Sequence, residues 1–347
     1  MRALLTVALG LTLLHAGCGR AGSLPPPSPE TSNLLLTMAG GTACAARIGG
    51  GVQCWNTADG LTAPETATGL VDVRQLATND AWVCALGGDG SVSCWGHDGR
   101  TGFGPTPVPR VNNVIGINVG TFVDSHACAI LGDGTVQCWD FPNPVPGPLA
   151  GITGAVEFSS GTGDHMCALE RDGSVACWGN NQGGQLGSGD TLEHADPVIV
   201  TGLARVKALA VSESHTGALL DDGSVVCWGD CGSAIALEPA AVPNLHGTVD
   251  LGSGTDFNNC VRTIDGHARC ACLGVTEAFV GVSNCDFAFL PVPDLDQVTY
   301  VTEGAFGVAC AARADSSVWC WSPMFPDGQP SSSNLPLGEP VRIPLTL

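Results

Sequence analysis

The sequence predicts an all-β fold, a seven-bladed β-propeller with four-stranded blades. A pattern of about twelve residues, Cys-Ala-x3-Asp-Gly-x3-Cys-Trp in its fullest form, occurs seven times, and successive copies lie 39 to 50 residues apart. One four-stranded propeller blade needs about 40–50 residues. Each copy also has the features of a β-hairpin: side chains that alternate between two faces on either side of a central turn. Seven hairpins therefore recur at the spacing of seven blades.

The fourth copy, from Cys167 to Trp178, shows the hairpin most fully. Pairing outward from Asp172 sets Leu169 opposite Val175, and leaves a three-residue loop at 171–173. Glycine at the last loop position can take the left-handed conformation that such loops need. Asp-Gly recurs at this place, beginning at Asp89, Asp133, Asp222 and Asp265, whereas the first copy has Gly49-Gly50 and the seventh has Asp315-Ser316. The seventh turn is therefore expected to be weaker.

Both faces of this hairpin are apolar. Leu169 and Val175 share one face with the cysteines, while Met166 and Trp178 lie on the other. A sheet with two apolar faces must be covered on both sides. In a propeller, neighbouring blades provide that cover, so the six repeated tryptophans are expected in the core: Trp55, Trp95, Trp139, Trp178, Trp228 and Trp321. A sugar-stacking ring of tryptophans is the alternative.

Six cysteine pairs, each ten residues apart, lie directly across the predicted hairpins. Facing residues at a non-hydrogen-bonded site have Cα atoms about 4.5 Å apart, which suits a disulfide. The alternatives are a zinc or redox site and free buried thiols, but each pair is alone in its repeat and four zinc ligands cannot easily converge. We expect no metal and six disulfides: Cys44–Cys54, Cys84–Cys94, Cys128–Cys138, Cys167–Cys177, Cys260–Cys270 and Cys310–Cys320.

Four further cysteines lie outside this pattern. Gly217 replaces the first cysteine of the fifth hairpin, so Cys227 lacks its cross-strand partner, and Cys231 can take that role. Cys272 and Cys285 can close a loop. Disulfides in such number predict an oxidising compartment.

The N-terminus resembles a targeting segment. Arg2 precedes an apolar run of twelve residues at 3–14, which is too short to span a bilayer but typical of a signal peptide. The following Leu-Leu-His-Ala-Gly-Cys resembles a bacterial lipoprotein signal and predicts lipidation at Cys18, although His15 stands where that family usually has leucine. Ordinary secretion with cleavage nearby is the alternative.

Three segments follow from these observations. Residues 1–17 are expected to form the signal peptide and residues 18–33, rich in Pro and Ser, a semi-extended tether. Residues 34–347 are expected to form the propeller. No other stretch reaches the roughly 18 apolar residues of a membrane span.

The stretch HMCALERDGSVACWGNNQGGQLGSG, from His165 to Gly189, resembles the regulator-of-chromosome-condensation repeat family. His126, His165 and His215 match the histidine of that repeat. The resemblance covers about residues 34–347 and implies a seven-bladed propeller. The founding member activates a nuclear GTPase and binds chromatin, which an exported, acidic chain is not expected to do. Secreted bacterial relatives that bind and inhibit other proteins, such as a β-lactamase inhibitor, are a better precedent.

The termini suggest how the ring closes. A strand with Pro-Val stands before most hairpins, as at Pro107, Pro144, Pro197 and Pro291, but none precedes the first hairpin. The last copy, near Val341, has no hairpin after it. We therefore expect the N- and C-terminal strands to pair in one blade and close the ring.

Charge and motifs limit the possible functions. The chain has 33 acidic and 13 basic residues, a net charge of −20, and no cluster of Lys and Arg, so nucleic acid and anionic lipid are not expected as partners. No motif of a serine hydrolase, zinc protease, dinucleotide enzyme or phosphate loop occurs. The repeated histidines are expected to brace strands, and the Asp-Gly aspartates to form turns. Calcium binding by those aspartates is the alternative.

An irregular segment at 274–290 carries Phe279, Phe287 and Phe289, which are candidates for binding a partner. Plugging an end of the propeller and packing between blades are the alternatives for these aromatic residues. We expect a monomeric, non-enzymatic scaffold that binds a protein or glycan at the cell envelope, with no cofactor and with membrane contact only through its lipid. It would be an outer-membrane or cell-surface lipoprotein, or else periplasmic or secreted. The alternatives are an extracellular lyase or hydrolase with its site at the channel, and a purely structural envelope protein.

Overall fold

The computed structural model describes residues 34–39, 41–47, 50–56, 64–79, 81–96, 104–120, 126–161, 164–231, 235–243, 245, 247–252, 260–271, 289–292, 294–303, 308–321 and 340–345. Over these residues the backbone forms 28 β-strands and no helix. A helix able to cross a membrane is therefore absent from this part of the chain.

The strands form seven four-stranded antiparallel sheets, each built from consecutive strands. Blade 1 contains β1 (Leu34–Ala39), β2 (Thr42–Arg47), β3 (Val52–Asn56) and β4 (Glu65–Ala67). Blade 2 contains β5 (Val73–Thr78), β6 (Trp82–Gly87), β7 (Val92–Gly96) and β8 (Thr106–Pro107). Blade 3 contains β9 (Val114–Val119), β10 (His126–Leu131), β11 (Val136–Asp140) and β12 (Gly147–Pro148). Blade 4 contains β13 (Ala155–Ser160), β14 (His165–Glu170), β15 (Val175–Gly179) and β16 (His194–Ile199).

The remaining strands complete three more blades of the same order. Blade 5 contains β17 (Val206–Val211), β18 (His215–Leu220), β19 (Val225–Asp230) and β20 (Ile235–Ala241). Blade 6 contains β21 (Thr248–Leu251), β22 (Cys260–Thr263), β23 (Ala268–Ala271) and β24 (Phe289–Pro291). Blade 7 contains β25 (Val298–Glu303), β26 (Ala309–Arg313), β27 (Val318–Trp321) and β28 (Val341–Ile343). The predicted seven-bladed propeller is confirmed.

The first strand of each blade is the innermost. These strands contact one another in sequence from β1 to β25, and β25 contacts β1, so they enclose the central axis. The hairpin register is the predicted one: Cys167 pairs with Cys177 and Leu169 with Val175. Gly173 has a φ of 86°, the left-handed conformation expected of the turn.

The predicted closure of the ring is wrong. β1 pairs only with β2, and the last strand, β28, pairs with β27 inside blade 7. The Pro-Val segments do not open repeats, because Pro107 and Pro291 lie in the fourth strands of blades 2 and 6. Each blade is therefore complete within one stretch of chain, and the ring closes by side-chain packing between blades 7 and 1.

The disulfide of one blade packs against the tryptophan of the next. Cys167 and Cys177 of blade 4 share an apolar cluster with Trp228 of blade 5, which is fully buried. At five other interfaces, too, the disulfide cysteines of one blade pack against the tryptophan of the next blade. The interface between blades 5 and 6 differs. Gly217 stands in blade 5 where the other hairpins have their first cysteine, and Ala271 stands in blade 6 where the others have tryptophan. Its buried cluster is formed by Leu219, Val225, Leu245 and Val261.

Two ends of the propeller can be distinguished. We call the end that carries the β2–β3 type turns and the links between blades the hairpin face. The other end, with the links from first to second and from third to fourth strands, is the loop face. Leu34, where β1 begins, pairs with Arg47 at the end of β2, so the described chain enters the propeller at the hairpin face.

Candidate functional site

The central channel is built from a recurring irregularity of the inner strands. The first strands of blades 2 to 7 each carry a β-bulge or register shift near their start. Bulges commonly re-aim side chains at the rims of closed sheets. The residues just after the irregularity occupy equivalent positions, and all are half-buried: Gln75, Gly116, Glu157, Ala208, Asp250 and Tyr300.

Two of these side chains link neighbouring blades. The Gln75 amide makes two hydrogen bonds with Ile117 of blade 3: it accepts from the backbone N–H at 3.0 Å and donates to the backbone carbonyl at 2.9 Å. Glu157 accepts from the N–H of Leu209 in blade 5 at 3.0 Å. The bulge thus places a polar side chain where it can satisfy backbone groups of the next inner strand.

Two carboxyl groups and a phenol, from blades 4, 6 and 7, influence one another electrostatically. Removal from bulk water raises the pKa of Glu157 to about 7, and the charge of Asp250 acts in the same direction. Removal from bulk water also raises the pKa of Asp250 to about 6, against the opposing charge of Arg262, whose Nε lies 3.9 Å away. Burial, followed by the charges of Asp250 and Glu157, raises the pKa of Tyr300. Glu157 and Asp250 therefore change charge much closer to neutral pH than ordinary carboxyl groups.

This arrangement is not a recognisable catalytic centre. No hydrogen bond joins Glu157 to Asp250, and no imidazole accompanies them, among the residues that the structure describes. Within the same residues, no group of three or more His, Cys, Asp or Glu side chains could hold a metal ion. The channel groups could receive or release protons, and they could hydrogen-bond to a polar molecule.

Glu157, Asp250 and Tyr300 were not among the sequence candidates, although a signal existed. Each lies ten residues before the first cysteine of its hairpin, and Gln75 lies nine residues before Cys84. An alignment of the inner strands on these cysteines would have placed Glu157, Asp250 and Tyr300 at one position and Gln75 one position away.

The repeated histidines contact neighbouring elements. His126 of blade 3 lies 3.0 Å from the sulfur of Met166 in blade 4. His165 lies 2.9 Å from the Thr216 hydroxyl of blade 5, which donates to the Gln185 carbonyl. Because the hydroxyl proton of Thr216 is used in that bond, Nε2 of His165 is the donor in the bond between His165 and Thr216. His215 bonds to Ser212 within its own blade at 2.7 Å. These contacts connect strands, as expected of bracing residues.

The Asp-Gly aspartates form hydrogen-bonded turns. Asp172 Oδ1 accepts from the backbone N–H of Ser174 at 2.9 Å and from its hydroxyl at 2.6 Å. These bonds lower the pKa of Asp172. The same pair of bonds recurs at Asp89, Asp133, Asp222 and Asp315. In blade 6, the Thr263 hydroxyl is the main cause of the lowered pKa of Asp265, about 2. The turn role accounts for these carboxylates, and nothing in the described residues favours calcium.

Among the described residues there are seven disulfides. Six join the predicted cross-strand pairs, with Cα atoms 4.0–4.1 Å apart: Cys44–Cys54, Cys84–Cys94, Cys128–Cys138, Cys167–Cys177, Cys260–Cys270 and Cys310–Cys320. The seventh joins Cys227 to Cys231.

Other sequence candidates fall outside the described residues: Cys18, Cys272, Cys285, Phe279 and Phe287. Only the backbone of Phe289 is described, in β24.

The repeated tryptophans lie mainly in the core. Trp55, Trp95, Trp139, Trp228 and Trp321 are buried. Trp178 is half-buried and packs edge-on against Phe158, with ring centroids 5.8 Å apart. This placement removes the sugar-stacking ring as an explanation of the five buried residues.

Seven four-stranded blades around one axis define the chain as a seven-bladed β-propeller. Residues 156–185 and 172–219 match sequence profiles described as the regulator of chromosome condensation (RCC1) repeat. The match covers residues 156–219 and includes the motif from His165 to Gly189, whose resemblance to this repeat the sequence had indicated. No curated protein matches it by sequence.

Solved structures share the fold at low identity. Yeast RCC1 (Prp20), solved bound to Kap60, is 18% identical, with a TM-score of 0.64 over 96% of this chain and 92% of that chain. Human WBSCR16 is 15% identical, with a TM-score of 0.61 over 78% of this chain and 84% of that chain. PorZ of Porphyromonas gingivalis, a bacterial surface component of the type-IX secretion system, is 14% identical, with a TM-score of 0.56 over 84% of this chain and 36% of that chain. At these identities the likeness concerns the fold alone.

Proposed function

We propose that this protein is a non-enzymatic propeller, exported and lipid-anchored at Cys18, that binds a protein or glycan partner at the cell envelope. The observation that carries the proposal is one disulfide in each of the seven blades. Such a framework suits an oxidising compartment and rigidifies a scaffold. A signal peptide at 1–17 and a tether at 18–33 agree with that location. A periplasmic or secreted protein without the lipid is the alternative.

Protein binding is supported by the kind of proteins that share the fold. Yeast RCC1 was solved bound to Kap60, and Prp20p of Saccharomyces cerevisiae was studied for binding to Gsp1p and histones. For this chain we propose a different partner at the cell surface, with Phe279, Phe287 and Phe289 among the residues that contact it. Rigid scaffolds commonly carry such residues on their loops.

Intact mass of the protein purified from a bacterial envelope tests the export and anchoring. We expect a chain that begins at Cys18 with a diacylglyceryl group. Of the 17 cysteines, the 16 after Cys18 should react with a thiol reagent only after reduction. An unlipidated chain would contradict the anchor, and thiols that react without reduction would contradict the framework.

Cross-linking on intact cells, followed by mass spectrometry, tests the partner. The matched control is a variant with Phe279 and Phe287 changed to Ser, checked for native disulfides by intact mass. We expect one dominant cross-linked partner that the variant loses. Equal cross-linking of the variant would show that these aromatic residues do not contact the partner. The absence of any specific cross-linked partner would leave only a structural role for the protein.

One feature favours the enzymatic alternative, an extracellular lyase or hydrolase: removal from bulk water raises the pKa of Glu157 to about 7 and that of Asp250 to about 6, and the two carboxyl groups interact electrostatically. If the channel is catalytic, turnover of envelope glycans should be measurable and should be abolished separately by Glu157→Gln and Asp250→Asn. No turnover by the disulfide-intact protein would exclude this alternative for those substrates.

A further inference from the structure

Exposed aliphatic side chains of two neighbouring blades come to one part of the loop face. Leu192, in the link between β15 and β16 of blade 4, is 66% exposed, and Ile235, at the start of β20 in blade 5, is 57% exposed. The link reaches blade 5, because the N–H of Gly189 donates to the carbonyl of Leu237 at 3.0 Å. Consecutive Cα atoms are about 3.8 Å apart, so the Cα of Leu192 lies within about 11 Å of that of Gly189.

Gly184 allows the link to pack closely against β20. A Cβ at Gly184, which has a φ of 78°, would lie 2.7 Å from Cδ2 of Leu237 and 3.5 Å from Cγ2 of Ile235. Any side chain at this position would therefore force the leucine to move. Leu237 is half-buried, whereas Ile235 keeps most of its surface exposed.

A buried amide holds the link in one shape. The side chain of Asn181 is fully buried, and its Nδ2 donates to the Ser188 hydroxyl at 3.1 Å and to the Asp190 carboxylate at 3.0 Å. Its Oδ1 accepts from the backbone N–H of Leu186 at 2.9 Å. The Asp190 carboxylate also accepts from the backbone N–H of Leu192 at 3.1 Å. A surface fixed in this way loses little conformational entropy when it binds a partner.

A glutamate follows the aliphatic residue in each of these two segments. Glu193 follows Leu192 and Glu238 follows Leu237, and both glutamates are exposed. A Cβ at Gly189 would lie 3.6 Å from Oε1 of Glu238, which places this carboxylate beside the link. Protein interfaces commonly have an apolar centre and a polar rim. Here the rim carries negative charge, so a complementary surface carries Lys or Arg.

We infer that this surface, the blade 4–5 patch, binds a protein segment in which an apolar side chain is flanked by Lys or Arg. The patch consists of Leu192, Ile235 and Leu237 with Glu193 and Glu238. The inference rests on the proposed function, and it adds a contact region and the chemistry of the partner. Exposed apolar groups rimmed by polar residues are typical of protein interaction sites. Burial of the aliphatic groups supplies affinity, and the glutamates supply specificity and a faster association.

Site-specific photo-cross-linking on intact cells tests the patch. The full-length protein carries p-benzoylphenylalanine at Thr191, beside the patch, or at Asn112, in the link between blades 2 and 3, as the control; both residues are exposed. We expect one dominant protein to be cross-linked at 191 and not at 112. Mass spectrometry of the cross-linked peptide should show an apolar residue flanked by Lys or Arg.

Matched charge reversals test the role of the acidic rim. Glu193→Lys and Asp221→Lys change the net charge equally, and both residues are exposed, but Asp221 lies in the hairpin turn of blade 5. Glu193→Lys should lower the yield of the cross-link at 191 at least about fivefold, because it sets like charges against each other. Asp221→Lys should leave the yield unchanged.

Matched polar substitutions test the apolar centre. Leu192→Ser should lower the yield at 191 at least about fivefold, as expected of an anchor residue. Ile264→Ser should leave the yield unchanged, because Ile264 is 81% exposed but lies in the hairpin turn of blade 6. Intact mass with native disulfides shows that each variant has folded.

The outcomes separate this inference from the proposed function. A protein partner that is captured by general cross-linking but not at 191, or equally at 191 and 112, overturns the patch and leaves the proposed function standing. A cross-link at 191 to glycan or lipid alone also overturns the patch. The absence of any protein partner by either method overturns both. A yield that ignores Glu193→Lys, or a captured peptide without Lys or Arg, overturns the predicted chemistry of the partner.

Discussion

Gln75 and Glu157 occupy one position in two blades and differ by a single functional group. The amide of Gln75 both accepts from and donates to the backbone of Ile117. An ionised Glu157 can only accept from Leu209, whereas a protonated Glu157 could also donate to the Leu209 carbonyl. The strength of this link between blades 4 and 5 therefore depends on pH.

Glu157→Gln should remove that dependence. The pKa of Glu157 is raised to about 7 in the folded protein from 4.5, so its protonated form favours folding. That contribution is full below the unfolded pKa and is lost as pH rises through about 7. The variant should be more stable at pH 8 by on the order of 2 kcal/mol, and nearly unchanged at pH 4.

Thermal unfolding of the disulfide-intact proteins between pH 4 and 8 measures this effect. Gln75→Glu is the converse variant and should acquire a pH dependence of the same sign. If the stability of wild type and of Glu157→Gln varies with pH in the same way, the pKa of the Glu157 carboxyl group is not raised in the folded protein.

The seventh hairpin turn contains a second instructive residue. Ser316 has a φ of 62°, the left-handed conformation that glycine adopts at the same place in blades 2 to 6. A non-glycine residue pays a steric cost there. Ser316→Gly should therefore raise the free energy of unfolding by about 1 kcal/mol, measured by urea denaturation. Gly173→Ser should lower the free energy of unfolding by a similar amount. If neither variant changes that free energy, the left-handed conformation carries no steric cost at this turn position.

At the scale of the element, the repeated hairpin has one register in all seven blades. Its fifth copy keeps that register although a cysteine is missing: Gly217 pairs directly with Cys227. Cys227 instead bonds to Cys231, only four residues away. A Cβ added at Gly217 would have no neighbouring atom closer than 3.8 Å, so a larger residue fits.

The double variant Gly217→Cys with Cys231→Ser should therefore form the missing cross-strand disulfide. Because the enclosed loop grows from four residues to ten, we expect a gain of about 1 kcal/mol over the native pairing. Denaturation compared with and without reductant measures it, and Cys231→Ser alone is the control. A free thiol remaining in the double variant would show that the register is not maintained in solution.

At the scale of the whole molecule, six blade interfaces combine a disulfide with a tryptophan and one does not. The interface between blades 5 and 6 relies on the cluster of Leu219, Val225, Leu245 and Val261. Less buried apolar area means a lower local free energy of opening. Judged by the described residues, we expect this interface to open more easily than the other six.

Hydrogen exchange measured by mass spectrometry should detect this difference. Backbone amides of β18 and β21 should exchange faster than those of the corresponding strands β14 and β17, which flank the interface between blades 4 and 5. Trp228→Ala, which removes the buried ring from that second interface, should reduce the contrast. Uniform exchange around the ring would contradict this ranking of interfaces.

Much of the fold could be predicted because its information is local. Spacing and alternation within about twelve residues set the hairpin register, the turn glycines, the six cross-strand pairs and the burial of the tryptophans. The rescue of Cys227 by Cys231 was also visible, since both residues lie in one short stretch. The channel residues were not predicted, because Glu157, Asp250 and Tyr300 are 50 to 143 residues apart in the sequence.

The sequence by itself determined the number of blades, their hairpins and the covalent links within them. Only the tertiary structure decided where each blade begins. A repeat can be divided at any phase without changing its period, so the Pro-Val strand could open or end a blade. Hydrogen bonding of β28 to β27 resolves that choice. The tertiary structure also decided which side chains meet in the channel, because that depends on how seven separate stretches pack around one axis.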